Sequence, residues 1–265
     1  MEDKVRAKKS YGQNFLNNDT ILEQISSLCG NSDRLVIEIG PGTGALTKKL
    51  SSKYERVCSI ELDKTLQEVL ENQIRDCDNV EVRYEDFLKS DIKDLINGWD
   101  GKVSVCANIP YYITSEIIDK LMDNADIFDT IVLLIQKEVA DKLCAKTGSG
   151  EAVPLTYKVQ YYSNVSKCLS VAPGNFNPPP KVYSTVIKME VKKTNASKND
   201  TNKLFELINA GFYQRRKKFV NSVCEKGISD KEKLTQVLNR LNIDENIRGE
   251  NLTLEDYQKI SKELT

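Results

Sequence analysis

Histidine is absent from this sequence: none of the 265 residues is a histidine. This absence excludes nucleophilic sites built on a Ser-His-Asp triad or a Cys-His pair, because both use an imidazole as the base. It also excludes HExxH metalloproteases and any metal centre with a histidine ligand. The chemistry of this protein must therefore rest on other polar groups.

Short cysteine spacings and long apolar runs are missing as well. The seven cysteines stand at positions 29, 58, 77, 106, 144, 168 and 224, and no two of them form a CxxC pair. This spacing fits neither a zinc site nor an iron–sulfur cluster, so we expect no metal. No stretch approaches the ~18 apolar residues that span a bilayer, and no apolar leader follows Met1. With an odd number of thiols, these absences predict a cytoplasmic protein that does not enter a membrane.

Charge is nearly balanced over the whole chain but unevenly distributed along it. The formal net charge is −1, yet residues 61–100 contain 12 acidic and 5 basic side chains, a net charge of −7. Residues 181–226 contain 11 basic and 4 acidic side chains, a net charge of +7. Because salt screens each region within roughly 8–10 Å, the basic region can face a polyanion while the acidic region stays in water. The pattern therefore leaves two interpretations open, a nucleic acid partner and a simple lysine-rich surface.

Apolar segments alternate with helical patterns in the first half of the chain. The predicted strands are residues 35–39, 56–60, 80–84, 103–107 and 130–135. This alternation predicts an α/β fold, a Rossmann-like parallel sheet with helices on both faces. Two later runs, 165–171 and 183–191, fit an antiparallel addition at the edge of that sheet. Sheets of this type bind ligands beyond the carboxyl ends of their strands.

A polar segment, residues 194–202, separates the sheet from a helical remainder. We therefore assign residues 1–193 to a catalytic domain, 194–202 to a linker and 203–265 to a small all-helical C-terminal domain. In the helical part, two pairs of residues have the spacing of a capping box, which predicts two helix starts. These pairs are Ser229 with Glu232 and Thr253 with Asp256.

Three strand ends offer groups that suit an adenosine-containing cofactor. The glycine-rich loop 40–44 follows the first strand and lets a ligand approach the backbone, although it is neither a GxGxxG motif nor a P-loop. Glu61 ends the second strand, where a carboxylate can accept hydrogen bonds from both ribose hydroxyls. Asp86 follows the third strand and can accept from an adenine amino group. These residues leave both NAD and S-adenosylmethionine (SAM) open as the cofactor.

The fourth strand ends in Asn108-Ile109-Pro110-Tyr111. The side-chain oxygen of Asn108 and the carbonyl of Ile109 can converge on one aromatic amino group, while the ring of Tyr111 stacks on the base that carries it. Two acceptors draw the amino protons out of the ring plane and restore the nitrogen lone pair for attack on a sulfonium methyl group. This step needs positioning more than a strong base, which suits a chain without histidine.

The sequence Asn-Ile-Pro-Tyr resembles the signature of SAM-dependent adenine-N6 methyltransferases, and this resemblance favours SAM over NAD. Four further segments, in matching order, resemble the ribosomal RNA adenine dimethyltransferase family. They are SYGQNFL (10–16), QKEVAD (136–141), FNPPPKVYS (176–184) and FYQRRKK (212–218). The segment RGENLT (248–253) is more similar to the small-subunit branch of the family than to the macrolide-resistance methylases. The resemblance implies a monomeric enzyme that dimethylates two adjacent adenosines near the 3′ end of small-subunit rRNA.

The resemblance also implies a role for each site residue. The implied cofactor contacts are Asn14, Leu16, Gly40, Gly42, Glu61, Asp86 and Asn108. The implied catalytic residues are Asn108, Ile109, Pro110, Tyr111 and Phe176, with the rings of Tyr111 and Phe176 covering the two faces of a flipped adenine. Phe176 has an alternative interpretation as an anchor of its proline-rich loop. The implied RNA contacts are Arg215, Arg216, Lys217 and Lys218.

Three other functions remain open at this stage. One is a large-subunit rRNA methylase of the macrolide-resistance type. Another is a non-enzymatic RNA-binding assembly factor on the same fold, and the third is an NAD-dependent oxidoreductase. The intact Asn108-Ile109-Pro110-Tyr111 turn and the acids at the strand ends argue against the assembly factor. The oxidoreductase would need a proton donor, and the sequence offers no obvious residue for that role.

Overall fold

A computed structural model describes residue 8, residues 12–194 and residues 196–264. Ser10 and Tyr11, the first residues of the arm motif, lie outside this described part. The described strands are β1 (Phe15–Leu16), β2 (Arg34–Ile39), β3 (Arg56–Ile60), β4 (Val80–Arg83), β5 (Lys102–Asn108), β6 (Thr130–Gln136), β7 (Ser163–Val171), β8 (Phe176–Asn177) and β9 (Ser184–Val191). The described α-helices are α1 (Asp19–Ser26), α2 (Ala45–Ser51), α3 (Gln67–Gln73), α4 (Ile92–Leu95), α5 (Thr114–Asp123), α6 (Lys137–Leu143), α7 (Pro154–Tyr162), α8 (Lys198–Tyr213), α9 (Phe219–Glu225), α10 (Lys231–Arg240) and α11 (Leu254–Leu264).

Seven strands form one sheet in the order β4-β3-β2-β5-β6-β9-β7. β2 to β6 run parallel, whereas β9 and β7 are antiparallel additions at one edge. The predicted α/β class, the five parallel strands and the antiparallel edge are thus confirmed. The chain order reverses between β2 and β5, and α/β sheets bind ligands at such a reversal.

The interior strand β2 is buried along its whole length, as is typical of a parallel strand in an α/β sheet. Its apolar side chains pack with those of α1 and α2 around Val36, Leu50 and Val57. Asn18 caps α1 by accepting a hydrogen bond from the amide of Ile21 at 3.1 Å. β1 and β8 form a separate antiparallel pair that joins the N-terminal arm to the proline-rich segment.

The chain divides into two compact units. One contains the described residues up to Ala140 together with Ser163–Lys192, and the other contains Asp141–Tyr162 together with the described chain from Lys193 onward. The predicted linker 194–202 already contains the first turn of α8, because the Ser197 hydroxyl accepts a hydrogen bond from the amide of Asp200. The polar residues of this segment belong to the exposed start of α8.

The second unit has its own apolar core, centred on aromatic rings packed edge to face. The Tyr257 ring contacts those of Tyr157 and Phe219 at centroid distances of 5.4 and 5.6 Å. The predicted capping box of Thr253 with α11 is confirmed. The one predicted at Ser229 is wrong, since Asp230 caps α10 through its carboxylate. No helix in the described ranges is long and apolar enough to cross a membrane.

Candidate active site

A cavity opens at the carboxyl ends of β2, β3, β4 and β5, within the first compact unit. The loops that follow these strands line it, and residues 12–16 of the N-terminal arm form a further wall. The cavity and its mouth hold about 1160 Å³ of space that no atom occupies. Part of this space is open solvent at the mouth, so the value is an upper bound on the room for a ligand.

Most of the predicted site residues line this cavity. They are Asn14, Leu16, Gly40, Gly42, Glu61, Asp86, Asn108, Ile109, Pro110 and Tyr111. Residues 15–16 and 107–113 come together although more than ninety positions separate them in the sequence. Phe176 is not among the lining residues.

The glycine-rich loop after β2 adopts backbone angles that favour glycine. Gly40 and Gly42 have φ values of 69° and 59°. A Cβ atom on Gly40 would meet no atom within 4 Å, so the wall of the cavity is open above this residue. A Cβ on Gly42 would lie 2.9 Å from the ring of Phe15, so the missing side chain lets the arm pack against the loop. The loop therefore leaves space that a ligand can enter.

Glu61 is 5% exposed, and its carboxylate links the loop after β2 to the loop after β3. Its two carboxylate oxygens accept hydrogen bonds from the backbone amides of Gly42 at 3.0 Å and Asp63 at 2.7 Å. Burial raises the pKa of Glu61, and the backbone hydrogen bonds oppose this rise. Each carboxylate oxygen can accept more than one hydrogen bond, so the group can also accept from a ribose at the cavity wall.

Asp86 lies in the loop after β4, on another side of the cavity. Its Oδ1 accepts a hydrogen bond from the amide of Leu88 at 3.0 Å, and Lys89 lies 3.7 Å from Oδ2. These contacts orient a carboxylate that is 30% exposed. An acceptor held in this way suits an adenine amino group.

Sequence analysis did not single out Glu38, the penultimate residue of β2, which lines the cavity. The feature that could have indicated this residue is a single carboxylate within the apolar segment LVIEI. Glu38 is 1% exposed; Ser59 donates to its Oε2 at 2.7 Å, while Oε1 has no hydrogen-bond partner within the described chain. Burial raises the pKa of Glu38 to about 7, against the opposing influence of the Thr47 and Ser59 hydroxyls.

Glu38 should make folding depend on pH in a specific direction. Its folded pKa of about 7 exceeds the ordinary value of 4.5, so the folded chain holds a proton that the unfolded chain releases. Its contribution to the free energy of unfolding is full below pH 4.5 and falls by roughly 3 kcal/mol as the pH rises past 7. Glu38→Gln should remove this fall, as measured by urea unfolding at intervals between pH 5 and pH 8. Identical pH profiles for wild type and variant would contradict the prediction.

Sequence analysis also did not predict a contact that holds the N-terminal arm at the cavity. Lys8 donates to Asp63 Oδ1 at 2.8 Å and to the Thr65 hydroxyl at 2.7 Å, and Gln13 donates to Asp63 Oδ2 at 3.1 Å. Although burial alone would raise the pKa of Asp63, the hydrogen bonds that it accepts from Lys8, Thr65 and Gln13 lower it to about 2. Asp63 therefore stays charged and ties the arm beside Glu61.

The orientation of the Asn108 amide follows from its neighbour on the arm. Asn108 Nδ2 donates to the carbonyl oxygen of Asn14 at 2.9 Å. A carbonyl can only accept, so the nitrogen must face Asn14 and Oδ1 must point the other way. No group in the described part of the chain donates to Oδ1 or to the carbonyl of Ile109. Two consecutive residues that line the cavity thus each have an acceptor oxygen available.

The rings of Tyr111 and Phe176 have different surroundings. Tyr111 is half-buried at the cavity, and its hydroxyl forms a 2.6 Å hydrogen bond with the Ser184 hydroxyl. Phe176 is 4% exposed and packs in the apolar core with Leu16, its partner across the β1–β8 pair. The ring is thus enclosed by the core, which favours the interpretation of Phe176 as an anchor of its loop. That Phe176 covers a target base stays a prediction.

The predicted RNA contacts lie in the second unit, where three of the four cations have partners. Arg215 pairs with Glu250 at 2.7 Å and Lys217 with Glu225 at 3.2 Å, while Lys218 donates to Asn246. Arg216 is exposed and makes no hydrogen bond or ion pair within the ranges that the structure describes. Exposed pairs of this kind contribute little to stability and can exchange for phosphate.

Comparison with known proteins gives one family over nearly the whole chain. The sequence profile described as "Ribosomal RNA adenine dimethylase" matches residues 4–265. A protein of Alkaliphilus metalliredigens named "Ribosomal RNA small subunit methyltransferase A" is 40% identical, and the alignment covers 98% of this chain and 93% of that protein. The protein of the same name from Clostridium acetobutylicum is 37% identical, with coverage of 98% and 94%.

Two enzymes with different names are among the solved structures that share this fold. A dimethyladenosine transferase from Plasmodium falciparum has a TM-score of 0.78 and 28% identity, with coverage of 93% of this chain and 95% of the other. The 23S rRNA methyltransferase ErmE has a TM-score of 0.73 and 23% identity, with coverage of 95% and 99%. The second likeness concerns the fold alone.

Proposed function

The chain belongs to the ribosomal RNA adenine dimethylase family, and on that premise we propose that it dimethylates N6 of two adjacent adenosines near the 3′ end of small-subunit (16S) rRNA, with SAM as the methyl donor. The small-subunit target is supported by relatives of that name at 37–40% identity. The observation that carries the proposal is the pair of available acceptors at Asn108 and Ile109. They lie at the cavity that Glu61 and Asp86 also line.

The cavity fits SAM at three places along its wall. The open space above Gly40 suits the methionine part, and Asn14 and Leu16 on the arm border the same space. Glu61 would bind the ribose and Asp86 the adenine amino group. When bound, SAM supplies a methyl group on a positively charged sulfur.

The residues of the chain contribute mainly positioning. Asn108 Oδ1 and the Ile109 carbonyl would accept the two N6 protons of the target adenine, which turns the nitrogen lone pair toward the donor. They also stabilise the positive charge that develops on that nitrogen, whose proton then needs only a weak acceptor. Pro110 fixes the backbone after the carbonyl, and the ring of Tyr111 would stack on the extruded base.

RNA binding would use exposed cations in the second unit. Arg216 and its exposed neighbours Arg215, Lys217 and Lys218 would contact phosphates, so affinity for rRNA should fall as salt rises. An rRNA substrate implies that the protein works in the cytoplasm, and one chain contains all the groups that the proposal uses.

Glu61→Gln should weaken SAM binding strongly. The substitution keeps the size of the side chain but turns an NH₂ group toward a backbone amide that also donates. Loss of hydrogen bonds to a charged group corresponds to an increase in the dissociation constant of about 30-fold, which isothermal titration calorimetry can measure. Glu68→Gln, on the exposed face of α3, makes the same charge change and should bind as wild type does. Equal affinities for the two variants would contradict the ribose role of Glu61.

Transfer of label from radioactive SAM to isolated ribosomal subunits tests the proposed target. Small subunits that lack the modification should accept about four methyl groups each, two on each of two adenosines. Label confined to large subunits would identify the macrolide-resistance type of activity and contradict the proposal. RNA binding without label in either subunit would identify an assembly factor.

A further inference from the structure

Lys120 lies on α5, the helix that begins directly after the Asn108–Tyr111 turn. Ile117, one turn before it on the same helix, lines the cavity, whereas Lys120 reaches outside the cavity lining. The side chain is partly buried and extends to the loop that follows β4. This loop, residues 86–90, is the one that presents Asp86.

The ammonium group of Lys120 contacts this loop at three points. Nζ donates to the carbonyl oxygens of Phe87 at 2.7 Å and Ser90 at 2.5 Å. It also lies 5.1 Å from the centre of the Phe87 ring. Hydrogen bonds from a charged donor are about twice as strong as neutral ones, so these contacts fix the loop to the helix.

Within the loop, further hydrogen bonds form between the backbone of Asp86 and the residues that follow it. The Asp86 carbonyl accepts from the amides of Lys89 at 2.8 Å and Ser90 at 3.0 Å. Asp86, Phe87 and Leu88 all line the cavity. The internal bonds shape the loop, and Lys120 supplies its link to α5.

We propose that Lys120 is a positioning residue that holds the 86–90 loop in place for the adenine of SAM. Helix α5, which follows the Asn108–Tyr111 turn, would thereby also fix the loop on the cofactor side of the cavity. This inference rests on the proposed function. Lys120 acts through Asp86, so its removal should raise the dissociation constant of the cofactor and leave the chemical step unchanged.

Calorimetric titration with S-adenosylhomocysteine, the demethylated product, tests this role. Lys120→Met should bind about tenfold more weakly than wild type, since a displaced loop misplaces its carboxylate. Lys120→Arg keeps the charge and the donors and should remain within about threefold of wild type. Lys93→Met removes the same charge from an exposed position on α4 and should bind as wild type does. In steady-state assays, Lys120→Met should raise KM for SAM and keep kcat within about twofold.

A double-mutant cycle with Asp86→Ala shows whether Lys120 acts through Asp86. In the Asp86→Ala background, Lys120→Met should weaken binding by less than about twofold. The positioning role is overturned if Lys120→Met binds like Lys93→Met, or if the tenfold loss persists without Asp86. Lys120→Gln, which keeps one amide donor, replaces the methionine variant if circular dichroism shows that the latter is unfolded. Failure of the wild type to bind the ligand at all would instead overturn the proposed function, and this inference with it.

Discussion

Asn108→Ala should lower methyl transfer by about 1000-fold or more while leaving the fold and RNA affinity unchanged. The substitution removes the acceptor oxygen Oδ1, which makes no hydrogen bond within the described chain, and also the amide nitrogen that binds the Asn14 carbonyl. Loss of one preorganised group of this kind typically costs about 100- to 1000-fold in rate, and here the arm loses its contact with the turn as well. The measurement is single-turnover transfer from labelled SAM to small subunits.

Two further variants separate the parts of this effect. Asn108→Asp keeps an oxygen toward the cavity but places a second one against the Asn14 carbonyl, so we expect a loss of about 100-fold. Asn239→Ala, on the exposed side of α10, should transfer methyl groups at the wild-type rate. Activity of Asn108→Ala within tenfold of wild type would remove Asn108 from the proposed mechanism.

Gly249→Ala should unfold the helical core of the second unit under conditions where wild type is stable. A Cβ on Gly249 would lie 2.5 Å from the carbonyl carbon of Gly211 and closer still to its oxygen. Overpacking usually costs about 1–3 kcal/mol because side chains can move aside, but here the obstacle is backbone. We therefore expect a loss of about 4 kcal/mol in the free energy of unfolding.

The control for this prediction is Gly227→Ala. A Cβ on Gly227 would meet no atom within 4 Å, but its φ of 70° disfavours alanine, so a loss of about 1 kcal/mol is expected. Urea unfolding followed by far-ultraviolet circular dichroism measures both variants. Equal losses for the two would show that the close approach of Gly249 to Gly211 is not what limits substitution.

The strand-end residues were predictable because parallel strands place their carboxyl ends at one edge of a sheet. Glu61 and Asn108 follow apolar runs and Asp86 follows a strand of alternating apolar and charged residues, so periodicity located all three at that edge. The structure brings all three to one cavity. Their roles toward SAM and RNA remain proposals.

The residues that sequence analysis missed depend on contacts between distant segments. Asp63 meets Lys8 and Gln13 across about fifty positions, and Lys120 meets a loop thirty positions earlier. A local sequence pattern gives the hydrophobic period of a segment. It does not show which distant residue a charged side chain of that segment will contact. The burial of Phe176 is of the same kind, because a proline-rich segment does not show on which side its aromatic ring will pack.

Primer extension on 16S rRNA is the most direct test of the central claim, that the Asn108–Tyr111 turn presents an adenine amino group to SAM. Small subunits that lack the modification would be incubated with SAM and either wild type or Asn108→Ala. We predict stops at two adjacent adenosines near the 3′ end with wild type, because dimethylated N6 blocks base pairing, and none with the variant. Stops that are absent with wild type, or equally strong with the variant, would contradict the account.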